Sequence, residues 1–365
     1  MNYRTVAIQE WLKNQPLHDL LDLASSGMPS IYKLADLELD QTEVPLYGSN
    51  AYGYMPLKEQ IAAQFSVNVD RVVITPGASM ANFVIFSALL ERGDKVMVEN
   101  PVYMPLCEAA EAIIEQEILP YERLANSGWH LNPDPKQVCA IKPRLLVLTN
   151  PHNPSGAYDP PQLFARYANL VEEWGGHVLL DEIFQPFMPY GETVTAAQFS
   201  DSIIVTGSLT KVWGLGGLRI GWVIAPPEIA RKIERTMNFM HVVQPFVTEF
   251  IAWKVLSNYT LNQRMLTNAR ARAEKHWAIV QEWFSRQDKL TIHKPAGGII
   301  AMVTANNPAT LDIDQLCATL LEREKTLVIP GRYFGFNNGF RIGFGAEPAV
   351  LNAGLERLSA VLKEQ

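Results

Sequence analysis

The sequence predicts an α/β fold, in which a mostly parallel sheet covered by helices on both faces is joined to a smaller α+β unit. Three observations lead there. Between residues 72 and 225, short and continuously apolar runs alternate with longer amphipathic ones. Strands of that kind, separated by helices, belong to parallel sheets buried on both faces. After residue 229 the pattern changes to a long helical stretch and then to a second, shorter series of strands and helices. Finally, 365 residues with 48% hydrophobic and 19% charged side chains give the length of two domains and the composition of a large core.

Taken in order, residues 72–75 read as a strand and 80–90 as the helix after it. Residues 95–98 are a second strand, followed by a helix over 105–114. Strands at 144–148 and 177–180 flank a helix over 161–174, and strands at 202–206 and 220–225 complete the series. Residues 229–285 read as helical, with Pro245 as a break because proline removes a helix donor. Beyond them, His293, 298–303, 327–329 and 340–344 read as strands, with helices near 312–324 and 347–363. The segment to about residue 40 shows no sheet pattern and is expected to pack on this smaller unit. The expected domains are a large one at 42–246 and a small one built from 1–41 and 247–365.

The charge balance is 31 Lys+Arg against 38 Asp+Glu, a net −7, which argues against a nucleic-acid binder. Glu10, Lys13, His18, Asp19 and Asp22 interrupt every hydrophobic window near the start, so neither a signal peptide nor a membrane anchor is expected. The cysteines, Cys107, Cys139 and Cys317, are odd in number and widely spaced. They read as small hydrophobes in a reducing cytoplasm rather than as a disulfide framework or zinc site. The seven histidines form no H-E-x-x-H pair, so no metal is expected.

The chemistry-bearing residues fall at strand ends, where ligands of such sheets collect. Lys211, in Ser208-Leu209-Thr210-Lys211, follows a buried strand directly, and desolvation there favours its neutral, nucleophilic form. Asp181 ends another strand, as either a helix cap or the partner of a buried positive group. Asn150-Pro151-His152-Asn153-Pro154-Ser155-Gly156 ends a third, and its two Asn-Pro pairs hold Asn153 in a stiff loop. Gly77-Ala78-Ser79 opens a helix whose free N–H groups suit an anion. Each alone also reads as an ordinary turn or surface group. Together, a lysine nucleophile, an acid, a fixed amide and a phosphate cradle suit pyridoxal phosphate. Gly214-x-Gly216-Gly217 imitates a dinucleotide fingerprint but opens no βαβ unit, so a nicotinamide cofactor is not expected.

With these motifs the sequence resembles the class I/II aminotransferases of the aspartate aminotransferase superfamily, the pyridoxal-phosphate enzymes of fold type I. The likeness runs from Gly27 to the last helix. It is carried by Asn-Pro-x-Asn-Pro-Ser-Gly at 150–156, Asp-Glu at 181–182, Ser-x-Thr-Lys at 208–211, Gly-Leu-Arg-Ile-Gly at 217–221, Val-Ile-Pro-Gly at 328–331 and Arg-Ile-Gly-Phe at 341–344. The resemblance implies a seven-stranded, mostly parallel sheet in the large domain, and it implies roles. Lys211 would form the internal aldimine and move the α-proton, giving a quinonoid. Asp181 would pair with the ring nitrogen, Asn153 would bond the ring hydroxyl and lie near substrate, and Tyr103 would stack on the ring. Ala78, Ser79, Ser208, Thr210 and Arg219 would hold the phosphate. Arg341 would clamp the substrate carboxylate, with Gly27 and Ser26 beside it. Tyr47, or its competitor Tyr52, would reach the phosphate of the neighbouring subunit in a homodimer.

Two departures stand out. Phe184 occupies a position where most of the family carries tyrosine, which keeps the shape and loses a donor to the ring hydroxyl. The Lys211 aldimine is therefore expected to hold its proton to higher pH. The spacing from Tyr47 to Gly53 is one residue longer than usual. In addition, Leu23-Ala24-Ser25-Ser26-Gly27-Met28 followed by Leu34-Ala35-Asp36-Leu37 is similar to a branch containing capreomycidine-synthase-like enzymes, which eliminate a β-substituent from a hydroxylated arginine and close a ring. The expected function is thus an aminotransferase acting on a free α-amino acid, and the alternative is an elimination or cyclisation enzyme. A regulator of this fold would carry an added DNA-binding domain, and none is expected here. Ser25 and Ser26 also read as loop residues that bond backbone.

Overall fold

The computed structural model describes residues 5–31, 33–40, 43–189 and 194–364. The expected boundary at 41/42 lies outside the described residues. The chain runs α1 (Ala7–Lys13), β1 (Leu21–Asp22), α2 (Met55–Phe65), β2 (Val72–Thr75), α3 (Ala78–Leu89), β3 (Val96–Asn100), α4 (Pro105–Ile114), β4 (Leu119–Glu122), α5 (Lys136–Ile141), β5 (Leu145–Thr149), α6 (Pro161–Glu172), β6 (His177–Asp181), β7 (Ile203–Ser208) and β8 (Gly221–Ile224). There follow α7 (Pro227–Met237), α8 (Phe246–Ser257), α9 (Tyr259–Phe284), β9 (Leu290–Ile292), β10 (Ile300–Ala305), α10 (Ile313–Glu322), β11 (Thr326–Leu327), β12 (Ile329–Pro330), β13 (Gly339–Gly343) and α11 (Pro348–Lys363).

Seven strands form one sheet in the order β2-β8-β7-β6-β5-β3-β4, in which β8 runs against its two neighbours and the others are parallel. Alternate residues serve opposite faces. Val73, Val98, Val147, Leu179, Ile204 and Val223 pack with α3, α4 and α7. Met97, Leu146, Leu148, Val178, Leu180 and Val205 join the core that includes α6 and reaches the C-terminal helices. With both faces covered, each strand is apolar throughout.

The register sets the site. Thr149 pairs with Asp181 and Asp181 with Thr206, so three polar side chains sit level at the carboxyl ends of β5, β6 and β7. A second sheet, β12-β13-β10-β9, is antiparallel and places Arg341 opposite Met302 and Ile329. A two-stranded parallel sheet, β1-β11, ties the N-terminal segment to the C-terminal part of the chain.

Several elements differ from the sequence expectation. The N-terminal segment contains a helix, α1, whose Ile8 packs with Ala24, Leu327, Ile329 and Phe334, and a strand, β1, of only two residues. The edge strand β4 carries Pro120 in a run that is only partly buried, so it lacks a buried-strand signature; proline is tolerated there because an edge strand pairs on one side. Helices α2 and α5 also had no counterpart in the sequence reading. The strand expected at His293 ends at Ile292, and that expected at 327–329 is split into β11 and β12. Cys107 and Cys317 are buried as expected, whereas Cys139 is partly exposed. Among the described residues no helix is long and apolar enough to cross a membrane.

Candidate active site

Asp181 is buried at the end of β6. Its Oδ2 accepts from Asn82 Nδ2 at 3.0 Å, and its Oδ1 from the Ile183 N–H at 3.0 Å. Asn82 stands in the second turn of α3, and its Oδ1 accepts from Thr206 Oγ1 at 3.1 Å. Burial holds the Asp181 carboxyl above the usual carboxylate range, and the Asn82 bond pulls it back. Among the described residues no lysine or arginine forms an ion pair with it.

Lys211 leaves the end of β7 through Leu209 and Thr210. Its Nζ donates to Ser26 Oγ at 2.8 Å and lies 5.7 Å from the centre of the Phe184 ring. Desolvation, and next the positive Arg341, bring the amine down to about 8. Desolvation disfavours the charged form in this way, and the Asp181 carboxylate offsets it only in part.

Arg341, on β13, is 4% exposed. One Nη donates to Asn153 Oδ1 at 3.1 Å and the other to the Ala24 carbonyl at 2.8 Å, while its buried Nε has no partner among the described residues. Its guanidinium stands 5.0 Å from the Phe334 ring centre. Burial draws it down to about 10, which leaves it charged at neutral pH. Among the described residues it forms no ion pair, and a buried guanidinium so placed suits an incoming anion.

At the start of α3, Gly77 has φ +85 and the helix has no side-chain cap, so the N–H groups of its first turn point outward unsatisfied. Arg219 lies over this turn: a Cβ on Gly77 would sit 2.4 Å from Arg219 Nη2. Ser208 Oγ and Thr210 Oγ1 are 2.8 Å apart, and Ser208 Oγ donates at 2.9 Å to the carbonyl of Ile220, the residue after Arg219; Ala78 is buried and Ser79 is exposed. The Tyr103 phenol accepts from Gln9 Nε2 of α1, and burial raises its pKa. Phe184 is buried against Phe187. Tyr47 and Tyr52 are 90% and 66% exposed, so the structure gathers neither into this cluster.

A model of the family described as aminotransferase class I and II matches residues 18–358. The chain belongs to that family. It is 29% identical to the capreomycidine synthase of Streptomyces vinaceus over 371 residues, 97% of this chain and 93% of that protein. In fold it is similar to a PLP-dependent aminotransferase from Streptococcus suis 89-1591, with a TM-score of 0.89 and 22% identity over 100% of this chain and 99% of that one. It is also similar to the PLP-dependent cyclase OrfR, with a TM-score of 0.87 and 23% identity over 100% and 98% of the two chains.

As a class I and II aminotransferase family member, the chain is an enzyme dependent on pyridoxal phosphate (PLP). The residues present fit that group. Asp181 is a buried carboxylate that, among the described residues, forms no ion pair, and a protonated ring nitrogen would supply one. The open first turn of α3 and Arg219 form a cradle for a phosphate, and Lys211 carries an amine of lowered pKa.

Beneath the site lies a buried ionic network that the sequence reading missed. Arg123 Nε donates to Glu99 Oε2 and Nη1 to Asp159 Oδ2, both at 2.7 Å. Thr149 Oγ1 donates to Glu99 Oε1 at 2.5 Å and accepts from the Asn153 N–H at 3.0 Å. Burial pushes the Glu99 carboxyl up to about 7 against the pull of Arg123. His152 is fully buried and neutral: Nε2 donates to the Pro101 carbonyl, and Nδ1 accepts from Ser155 Oγ, each at 2.7 Å. Asn82 was missed as well, although a lone asparagine in so apolar a helix was its signal.

Proposed function

We propose that this enzyme acts on the α-amino group of a free amino acid, with transamination as the leading outcome. The observation that carries the reading is that one loop joins Lys211, an amine of lowered pKa, to the buried Arg341, whose Nε has no partner among the described residues. When bound, PLP supplies an electron sink for the bonds at the substrate's Cα. Arg341 would take the α-carboxylate bidentately, a geometry that its planar fork suits. Neutral Lys211 would hold the cofactor and, once released, accept the α-proton at Nζ. Asp181 would keep a proton on the ring nitrogen by its charge, with Asn82 fixing its orientation. Asn153, its oxygen engaged by Arg341, would present its N–H to the ring hydroxyl. Arg219, Ser208, Thr210 and the turn at Ala78 and Ser79 would hold the phosphate, and Tyr103 would face the ring.

A second reading is elimination or cyclisation at Cβ. It is favoured by Phe184 in place of a ring-hydroxyl donor, and by the similarity over 97% of the chain to a capreomycidine synthase. The two are separated by one turnover of the holoenzyme with amino acids, hydroxylated arginines included. Pyridoxamine phosphate in the products supports transamination, and its absence with a β-substituent lost supports elimination. If Lys211→Ala retains full turnover, both readings fail.

The proposal extends to a homodimer in the cytoplasm, with a large domain at 42–246 and a small one from both ends. Leu46, Tyr47, Tyr52, Phe239 and Val242 are 66–93% exposed, an apolar set that a second copy would cover and that would carry Tyr47 or Tyr52 to the neighbouring site. Sedimentation as a monomer at working concentration would remove this part.

A further inference from the structure

One buried guanidinium ties down both ends of the loop that carries Asn153. Arg123 stands just after β4, and its Nε meets Glu99 of β3, the next strand in the sheet. Its Nη1 donates to the Trp129 carbonyl at 2.9 Å as well as to Asp159, and its Nη2 donates to the Thr149 carbonyl at 3.5 Å. Thr149 precedes the loop and Asp159 closes it. The two ends also hold each other: the Asp159 N–H donates to Asn150 Oδ1 and Asn150 Nδ2 to the Asp159 carbonyl, both at 3.0 Å. Inside the loop the His152 N–H donates to the Ala157 carbonyl at 2.7 Å. The last tie falls on Asn153 itself. Its N–H donates to Thr149 Oγ1, and because the Thr149 proton is committed to Glu99, that oxygen faces Asn153 as an acceptor.

We infer that Thr149 is a positioning residue for substrate binding, held in that role by Glu99 and Arg123, so that the chain Arg123–Glu99–Thr149–Asn153 sets the aim of the Arg341 guanidinium. The inference rests on the reading that Arg341 takes the substrate carboxylate. Among the described residues two acceptors direct Arg341, the Ala24 carbonyl and Asn153 Oδ1. The first is fixed by its own turn, in which Asp22 Oδ1 accepts from the N–H groups of Ala24 and Ser25, at 2.8 and 2.9 Å. The second is a side-chain amide, and its place follows from where the Asn153 backbone stands. That backbone is what the Thr149 hydroxyl holds. A guanidinium that must meet both oxygens of a carboxylate at once is sensitive to rotation, and a misplacement of about 1 Å costs on the order of 100-fold. Thr149 is buried and its proton goes to Glu99, so it acts through Asn153. Bonds linked in series in this way, away from water, reinforce one another.

The experiment reads a ratio that a loss of folded protein does not move. Wild-type holoenzyme is titrated, through the absorbance of its bound PLP, with the amino acid it binds most tightly and with the amine that lacks only the carboxylate. The ratio of the two apparent Kd values reports the Arg341 contact. Thr149→Val keeps the shape and loses the hydroxyl, and should shrink this preference about 10-fold, as expected for one hydrogen bond to a charged group. Thr149→Ser should restore most of it. Arg123→Lys should shrink it too, because one ammonium cannot span Glu99, Asp159 and two carbonyls. A second readout uses the cofactor-free chain. Amide hydrogen exchange in the peptide carrying Asn153 should quicken in Thr149→Val and recover in Thr149→Ser, with β6 and β7 unchanged. An unmoved ratio in Thr149→Val, or an equal loss in Thr149→Ser, overturns the inference and leaves the network a support of stability alone. An unmoved ratio in Arg123→Lys removes Arg123 from the chain. Equal quickening of exchange throughout the protein also counts against it. A wild type that binds the amine as tightly as the amino acid overturns the Arg341 reading itself, an outcome separate from the others.

Discussion

Arg341 donates to Asn153 Oδ1 across 3.1 Å, and this bond joins β13 of the small sheet to the loop that leaves β5 of the large one. It aims the guanidinium, and among the described residues the Asn153 amide nitrogen is left without an acceptor. Arg341→Lys keeps a charge but loses the fork, so KM for amino acids should rise about 100-fold, equivalent to about 3 kcal/mol of a buried, hydrogen-bonded charge contact. PLP affinity should change far less. Steady-state kinetics beside a PLP titration of the cofactor-free chain checks this, and equal losses in both would refute the division of labour.

Lys211 should react as an amine two pH decades below an ordinary lysine. Its pKa falls from 10.5 to about 8, and only the neutral amine attacks an aldehyde. The rate of PLP uptake by the cofactor-free chain should therefore rise through pH 8 and level off above it. Arg341 is the second cause of the shift, so Arg341→Met should move the midpoint upward. A wild-type midpoint near 10.5 would overturn the assignment.

Phe184→Tyr should lower the pKa of the cofactor's absorbance transition. Phe184 is 2% exposed, and a tyrosine in its place would keep the ring packed against Phe187 while adding a phenol. A donor to the ring oxygen stabilises the deprotonated form, and a bond to a charged oxygen is worth about 1.5 kcal/mol or more, roughly one pH unit. Spectrophotometric titration of both holoenzymes measures it. An upward shift in the variant would contradict the reasoning.

What was legible in the sequence follows from where each signal lies. Lys211, Asp181 and Asn153 ended apolar runs, so strand logic alone drew them together, and the register of β5, β6 and β7 shows why. Arg341 needed its motif, because nothing local says that a β13 residue faces Asn153, 188 positions away. Asn82 bonds Asp181 across 99 positions and Thr149 bonds Glu99 across 50. No periodicity reports such pairs. β4 was hidden because Pro120 and partial burial erase the apolar run, and β1 because two residues carry no pattern.

The Glu99–Arg123 pair should leave a signature in stability against pH. Glu99 is raised from 4.5 to about 7 by burial, so between those values the folded chain holds a proton that the unfolded chain has lost. This group's stabilising contribution is therefore complete below pH 4.5 and disappears as pH rises through 7. Glu99→Gln removes that slope, and the difference in unfolding free energy between wild type and variant should shrink or invert as pH rises across the window. Arg123→Met should be worse than Glu99→Gln at pH 7, by roughly 3–5 kcal/mol relative to wild type. It strands both Glu99 and Asp159 without their cation, whereas the amide variant leaves Arg123 bonded to Asp159. Denaturant titrations at pH 5, 6, 7 and 8 read both effects. A wild type whose profile parallels that of Glu99→Gln throughout would show that Glu99 does not titrate there. In that case Thr149, and through it the Asn153 N–H, rests on a permanently ionised carboxylate.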